Sequence, residues 1–191
     1  MKPDFNISVR WGVIGGLVMS AITVLMYMFY KTIFGSVWLQ AITGFLTFGL
    51  LVFFAVWGGV LYKRSTEDTI TLWQAFVAVF TILILTMLIS TVTTLFINYV
   101  LDPEYSANLR EHVVSRTEAF LEKQGLSDEV IEKQIEKIKN SDEFDFSLKG
   151  SAKSLLKSSV FGAVLSFIIA LFVRRPVRTG ASDTASKPAE A

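Results

Sequence analysis

The clearest row of potentially interacting side chains in this chain is made of neutral polar groups. Thr86, Ser90, Thr94 and Asn98 follow one another at intervals of four, so on an α-helix they share one face. Hydroxyls in apolar helices commonly donate to the carbonyl four residues back in their own helix. The alternative is that this polar line faces neighbouring helices or a small polar ligand. These hydroxyl and amide side chains can form hydrogen bonds, but they are not suited to acid–base catalysis.

Groups suited to covalent or metal chemistry are scarce. The chain has no cysteine, which excludes thiolate sites, and its one histidine, His112, lies outside any H-E-x-x-H pattern. The acidic cluster Asp142, Glu143 and Asp145 lacks the alternating ligands and central glycine of a calcium loop. We therefore expect no catalytic residue, no metal and no cofactor, and a non-enzymatic protein. With no basic patch interleaved with aromatics, nucleic acid is not an expected partner.

Small residues recur at every fourth position in two apolar segments, forming two small-residue stripes. These are Gly12, Gly16 and Ser20 in the first segment, and Ser158, Gly162, Ser166 and Ala170 in the last. Small side chains let helix backbones approach closely in lipid, where apolar surface alone does not drive association. We expect the stripes to pack helices within the monomer. Self-association, or docking of a partner's helix, is the alternative.

The elements that carry these residues are long and free of charge. No charged side chain occurs in residues 11–30, 32–62, 69–101 and 158–173. About 20 apolar residues in a helix cross a hydrocarbon layer of roughly 30 Å. We predict an all-α integral membrane protein whose domain covers residues 1–176. Its four transmembrane helices are expected at about 10–31, 38–62, 71–101 and 151–174.

A charged segment, residues 102–146, separates the third and fourth predicted spans and is expected to form an extramembrane helical hairpin. Asp102 and Pro103 are suited to begin a helix over 103–123, and Gly125 to end it. Ser127 then precedes a second short helix. Apolar residues at helical spacing should be buried against each other or against the membrane surface: Leu109, Val113, Phe120, Ile131 and Ile135. Residues 177–191, rich in Ala, Ser, Thr and Pro, are expected to be a disordered tail.

Basic residues indicate the orientation. With four crossings both termini share one side, together with Lys63, Arg64, Arg174 and Arg175, whereas Lys31 alone marks the first loop on the other side. The positive-inside rule then places the termini in the cytoplasm. Residues 102–146, with twelve acidic and six basic side chains, would face the opposite side.

Four short segments occur in a recognisable order: Tyr62-Lys63-Arg64, Thr71-Leu72-Trp73-Gln74-Ala75-Phe76, Leu101-Asp102-Pro103-Glu104-Tyr105 and Leu126-Ser127-Asp128-Glu129. Together with a last helix that contains Gly and Ser and ends in basic residues, they resemble domain-of-unknown-function family 4199, small bacterial membrane proteins. The resemblance covers almost the whole chain except the tail. It implies a four-helix fold in the bacterial inner membrane, and in such a membrane the orientation given by the basic residues would place residues 102–146 in the periplasm. It implies no activity and no functional residue.

Two functions are compatible with these features. The first is a non-enzymatic interaction or accessory protein, embedded in the lipid bilayer, whose hairpin meets a protein partner. The second is a small oligomeric carrier or channel that uses the polar line, Thr86 to Asn98, as its path. Coupled transporters place ionisable residues at membrane depth, and these spans contain none, which favours the first function.

Overall fold

A computed structural model describes residues 5–66, 70–141 and 145–174, and the regular elements in them are all helices. They are α1 (Asn6–Met28), α2 (Tyr30–Ile33), α3 (Val37–Arg64), α4 (Leu72–Phe96), a π-helical turn that continues α4 (Ile97–Leu101), α5 (Tyr105–Lys123), α6 (Asp128–Lys139) and α7 (Leu148–Arg174). Four helices, α1, α3, α4 with its π turn, and α7, are long and apolar enough to span a membrane. The predicted fold class is confirmed. The tail predicted at 177–191 lies outside the described residues.

Helix α4 is the centre of the bundle. It contacts α1, α3 and α7, and its side chains Val79, Ile82 and Leu83 are completely buried. Val79 and Leu83 belong to a cluster with Ala55 of α3 and Ile169 of α7. The outward faces of the four long helices remain apolar, as expected for surfaces that meet lipid instead of water.

Helix α3 is packed along only part of its length. From Trp38 to Phe53 it contains no buried residue, whereas Phe54, Ala55, Gly58, Gly59, Tyr62 and Lys63 are buried. Trp38 is 79% exposed and Phe45 is 82% exposed. The first half of α3 therefore stands beside the bundle with most of its surface open to lipid.

Helix α4 begins with a capping box. The Thr71 hydroxyl accepts a hydrogen bond from the Gln74 N–H at 3.2 Å, and the Gln74 side-chain oxygen accepts one from the Thr71 N–H at 2.9 Å. Two of the N–H groups that lack partners at a helix start are thereby satisfied. This explains in physical terms why Thr and Gln open the third span.

The ends of two spans differ from the sequence prediction. Helix α1 begins at Asn6, four residues before the predicted start, and ends at Met28, with α2 as a separate turn up to Ile33. A charge such as Arg10 does not stop a helix, because backbone hydrogen bonding can continue beyond the hydrocarbon. At the other end, Phe29 departs from helical dihedral angles (φ −112°, ψ 19°) and breaks the helix.

Helix α7 begins at Leu148, three residues before the predicted start at 151. The Ser147 hydroxyl accepts a hydrogen bond from the Gly150 N–H at 3.0 Å, and the Tyr99 hydroxyl accepts one from the Leu148 N–H at 3.1 Å. A Cβ atom at Gly150 would overlap Asp145, so only glycine fits there. The first turn of α7 is thus fixed by the π turn and by the preceding loop.

The predicted hairpin segment contains two helices, α5 and α6, which contact each other. Helix α5 begins two residues after the predicted start, because Pro103 and Glu104 form a turn in which Asp102 Oδ1 accepts from the Glu104 N–H at 3.2 Å. Gly125 adopts φ +70° after the end of α5, in the left-handed region that favours glycine. That the two helices lie outside the bilayer stays a prediction.

Four of the five apolar residues singled out in α5 and α6 are buried in the structure. Leu109, Val113, Ile131 and Ile135 are buried, whereas Phe120 is 40% exposed. Phe120 lines a groove beside the start of α3, and its contact with the membrane surface, the other expectation, stays a prediction.

Candidate functional site

The stripe on α1 is the point of closest approach to α4. A Cβ atom added at Gly12 would lie 2.8 Å from the Leu85 Cβ, and one added at Gly16 would lie 2.7 Å from the Ile89 Cβ. Gly15, which the spacing of four omits, would place a Cβ atom 2.8 Å from the Thr86 hydroxyl. No side chain fits at these positions unless the helices move apart.

The stripe on α7 also faces α4, with more space. Ser166 and Ala170 are completely buried, and the Ser166 hydroxyl donates to the Gly162 carbonyl at 2.6 Å in its own helix. A Cβ atom at Gly162 would lie 3.5 Å from the Met87 methyl, an ordinary contact. Both stripes therefore pack within the monomer, and the α7 stripe is the looser one.

A third close contact was not foreseen from the sequence. A Cβ atom at Gly58 of α3 would lie 2.6 Å from the Ile82 Cδ1, and one at Gly59 would lie 2.9 Å from the Val79 Cγ2. The available signal was the helical spacing of Ala55, Gly58, Gly59 and Tyr62, all of which are buried. Ala55 and Gly59 are four positions apart, but Leu51 and Lys63 flank them at the same interval, so they do not form a stripe of three or more small residues.

The predicted polar line on α4 faces α1 over its first half. The Thr86 hydroxyl donates to the Gly12 carbonyl at 3.2 Å, and the Ser90 hydroxyl lies 3.3 Å from that of Thr23. Thr94, in contrast, donates to the Ser90 carbonyl of its own helix at 3.2 Å. Thr86 and Ser90 therefore meet a neighbouring helix, whereas Thr94 bonds within its own helix.

Two further residues complete the polar contacts of α4. Thr93, which lies beside the predicted line, hydrogen bonds to the Ser20 hydroxyl of the α1 stripe at 2.7 Å. Asn98 lies in the π turn, and its side-chain oxygen is buried with no hydrogen-bond partner in the described part of the chain. Most of these hydroxyls therefore join α4 to α1.

The polar line also borders a cavity of about 170 Å³ among the four long helices. Hydroxyl groups from α4 and α7 line it, namely those of Thr86, Ser90, Thr91, Ser154 and Ser158. At about 30 Å³ per water molecule, the cavity has room for a few waters or one small polar molecule. Ser154, one of the residues that line it, is exposed.

The lining of the cavity on α4 ends at Thr86. Thr86 is the midpoint of the α4 span, Leu72–Leu101, and beyond it Leu83, Ile82 and Val79 are completely buried apolar side chains. These three residues do not line the cavity, so the row of hydroxyls does not continue along α4 beyond Thr86. The cavity can hold a neutral hydrogen-bonding molecule.

A second cluster holds α5 and α6 against the end of the bundle. The buried ring of Tyr105 meets Tyr27 edge-on at a centroid distance of 5.1 Å, meets Tyr30 edge-on at 5.6 Å and stacks on Phe146 at 5.9 Å. We call these four rings, with the buried residues Ile97, Leu109 and Val113 that pack with them, the Tyr105 cluster. Burial, and to a smaller extent the neighbouring Tyr30, Tyr27 and Asp102, raises the pKa of Tyr105 from 10.0 to about 12. The Tyr105 hydroxyl therefore stays neutral at physiological pH.

His112 contributes to the same attachment. Its Nε2 lies 3.2 Å from the Lys31 carbonyl, and its ring lies 6.2 Å from that of Tyr30. In residues 5–66, 70–141 and 145–174 there is no group of three His, Cys, Asp or Glu side chains that could hold a metal. Asp145 of the acidic cluster accepts from the Ser147 N–H at 3.1 Å, while Asp142 and Glu143 lie outside the described residues.

The comparisons with known proteins identify a family and no characterised relative. No curated protein and no solved structure matches the chain. The family model described as "Protein of unknown function (DUF4199)" matches residues 10–175, which is most of the chain. The matched region includes all seven helices except the first four residues of α1. The chain therefore belongs to the DUF4199 family.

Proposed function

We propose that the protein is a non-enzymatic interaction or accessory protein of the bacterial inner membrane that presents α5 and α6 to another protein. The observation that carries this proposal is the attachment of α5 through the Tyr105 cluster. A tethered segment would present its surface in many orientations. A segment packed on the bundle presents its surface in a single orientation. Less conformational entropy is therefore lost when a partner binds.

Apolar residues at the start of α6 support a partner there. Leu126 and Val130 are 39% and 41% exposed, beside the acidic residues Asp128 and Glu129. Apolar side chains surrounded by charge are typical of the centre and rim of a transient interface. We call Leu126 and Val130 the α6 apolar pair.

Crosslinking from a single position tests the proposal. A photoreactive amino acid at Val130 should give one protein adduct of defined mass in native membranes. Leu126→Asp, made in the same chain, should abolish the adduct because it places a charge in the proposed contact. Leu156, a 70% exposed residue of α7, is the control position and should give no protein adduct. A chain that gives no adduct at Val130, or the same adducts at both positions, would argue against the proposal.

The orientation belongs to the same proposal. Termini in the cytoplasm place α5 and α6 in the periplasm, so the partner would be periplasmic or would have a periplasmic part. The basic residues Lys63 and Arg64 at the end of α3 and Arg174 at the end of α7 support this orientation.

A second candidate, a small carrier, is favoured by the hydroxyl-lined cavity. Its five hydroxyls reach the midpoint of the α4 span, and a rearrangement of the apolar layer below Thr86 would be needed to open the other side. Flux of a small neutral solute into liposomes that contain the protein tests this function. Transport that Thr86→Val reduces would favour the carrier over the interaction protein.

A further inference from the structure

A groove of about 630 Å³ runs between the C-terminal half of α5 and the segment that leads into α3. Phe34 and Trp38 form one wall, and Val113 and Phe120 form the other. It is separate from the hydroxyl-lined cavity and from the α6 apolar pair. Phe120 is 40% exposed here, so the groove is an apolar surface without a protein partner in the described part of the chain.

The groove lies at the level where hydrocarbon gives way to lipid headgroups. Trp38 is the first residue of the α3 span, Trp38–Arg64, and tryptophan is enriched at headgroup level in membrane proteins. Helix α5 passes the same level, since its residues face those of the α2–α3 link across the groove. A molecule in the groove would therefore contact both the membrane and its aqueous border.

The charge in the groove has one sign. Among the described residues that line it, the charged ones are Arg116 and Lys123, both exposed, and no carboxylate accompanies them. Gln40 and Thr117 add neutral hydrogen-bonding groups. This set complements a phosphate-containing headgroup, because Arg and Lys bind phosphate through charge-assisted hydrogen bonds.

The apolar surface continues from the groove along α3. Ile42 and Phe45, one and two turns below Trp38, are 60% and 82% exposed, and no residue from Trp38 to Phe53 is buried. The chain thus joins a cationic site at headgroup level to an open apolar stripe that runs into the hydrocarbon. A phospholipid has the same arrangement of anionic head and apolar chains.

We propose that this groove binds an anionic phospholipid, with its phosphate at Arg116 and Lys123 and an acyl chain along Trp38 and the exposed half of α3. The bound lipid joins α5 to α3, two elements that otherwise meet across open space. The site is independent of the partner proposed above, since it uses neither the α6 apolar pair nor the orientation of the protein.

Lipid binding to the purified full-length chain tests the proposal. In neutral detergent, phosphatidylglycerol should bind about tenfold more tightly than phosphatidylcholine with the same acyl chains, and should raise the melting temperature more. Native mass spectrometry measures the binding. The double variant Arg116→Gln/Lys123→Gln should lose the preference for phosphatidylglycerol. The charge-matched control Lys133→Gln/Lys137→Gln, on α6 outside the groove, should keep it.

A second variant separates the acyl contact from the charge. Ala119→Trp fills the groove while Arg116 and Lys123 remain, so it should weaken binding of both lipids.

Equal binding of the two lipids by the parent chain, or an unchanged preference in the double glutamine variant, would overturn the proposal. So would displacement of the lipid by inorganic phosphate at low concentration, which would indicate a soluble anion. A dimeric parent that Ala119→Trp converts to a monomer, without any lipid dependence, would show that a second copy occupies the groove.

Discussion

Individual glycines of this bundle face very different amounts of space, although the sequence presents them alike. Gly16 has Ile89 against it, Gly162 has the flexible end of Met87 at an ordinary distance, and Gly44 has no atom within 4 Å of an added Cβ. Each lies in an apolar helix. Only the identity of the facing side chain distinguishes them, and that depends on the tertiary packing.

These distances predict an order of stability for leucine variants. Gly16→Leu should lower stability by about 1–3 kcal/mol, the usual cost of overpacking a filled contact, because α1 must move away from α4. Gly162→Leu should cost less, since the Met87 side chain can move. Gly44→Leu, on the open half of α3, is the control and should match the parent. Thermal unfolding in detergent gives the order, and equal melting of the Gly16 and Gly44 variants would contradict the close contact.

Tyr105 predicts a dependence of stability on alkaline pH. Its pKa is about 12 in the folded protein and 10.0 when exposed, so the folded state holds the hydroxyl proton more tightly than the unfolded state. The resulting stabilisation is complete below pH 10 and is lost as the pH rises towards about 12. Tyr105→Phe keeps the ring contacts and removes the ionisation.

The comparison of Tyr105→Phe with the parent isolates this contribution from other titrating groups. Between pH 9.5 and 12, the melting temperature of the parent should fall more steeply than that of the variant. Parallel curves would mean that Tyr105 ionises as readily in the folded protein as in the unfolded one.

At the level of elements, the four spans were predictable and their ends were not. Long charge-free segments determine that helices form, because backbone polar groups in lipid must be satisfied internally. The ends depend partly on tertiary contacts, as when the Tyr99 hydroxyl accepts from the Leu148 N–H at the start of α7. That bond cannot be read from the local sequence, since Tyr99 lies in another helix, whereas the bond from the Gly150 N–H to Ser147 is a local helix cap.

Helix α6 predicts a local response to one substitution. Ile135 is buried, and the contact between α5 and α6 depends on few such residues. Ile135→Asp would bury an unpaired carboxylate, which costs about 2 kcal/mol or more, so α6 should detach. Limited trypsin digestion in membranes should then cut faster within residues 133–139, where Lys133, Lys137 and Lys139 lie, while membrane insertion stays intact.

Val130→Asp is the matched control for that experiment. It makes the same change on the same helix at a 41% exposed position, and its digestion should resemble that of the parent. If Ile135→Asp is also cut like the parent, α6 is not held by α5.

At the scale of the whole molecule, the central position of α4 was the main feature that the sequence did not predict. Its side chains are apolar on every face, so no pattern marks which face meets protein and which meets lipid. The polar line was the best available indicator, and Thr86 and Ser90 do face α1. The cavity escaped prediction because Ser154 and Ser158 belong to a helix far away in the chain.

The four-span topology predicts on which side of the membrane each connecting segment of the chain lies. Four spans place residues 127 and 182 on opposite sides, and the basic residues at the ends of α3 and α7 favour the cytoplasm for residue 182. Because the chain has no cysteine, single cysteines at Ser127 and at Ser182 give clean signals. In intact cells, a reagent that does not cross the inner membrane should label Ser127→Cys and should label Ser182→Cys only after lysis. Ser36→Cys, at the link before α3, should behave like Ser127→Cys, because two spans separate residue 36 from residue 127. Labelling of residues 127 and 182 from the same side would require an even number of crossings between them, which contradicts the single span, α7, that lies between them.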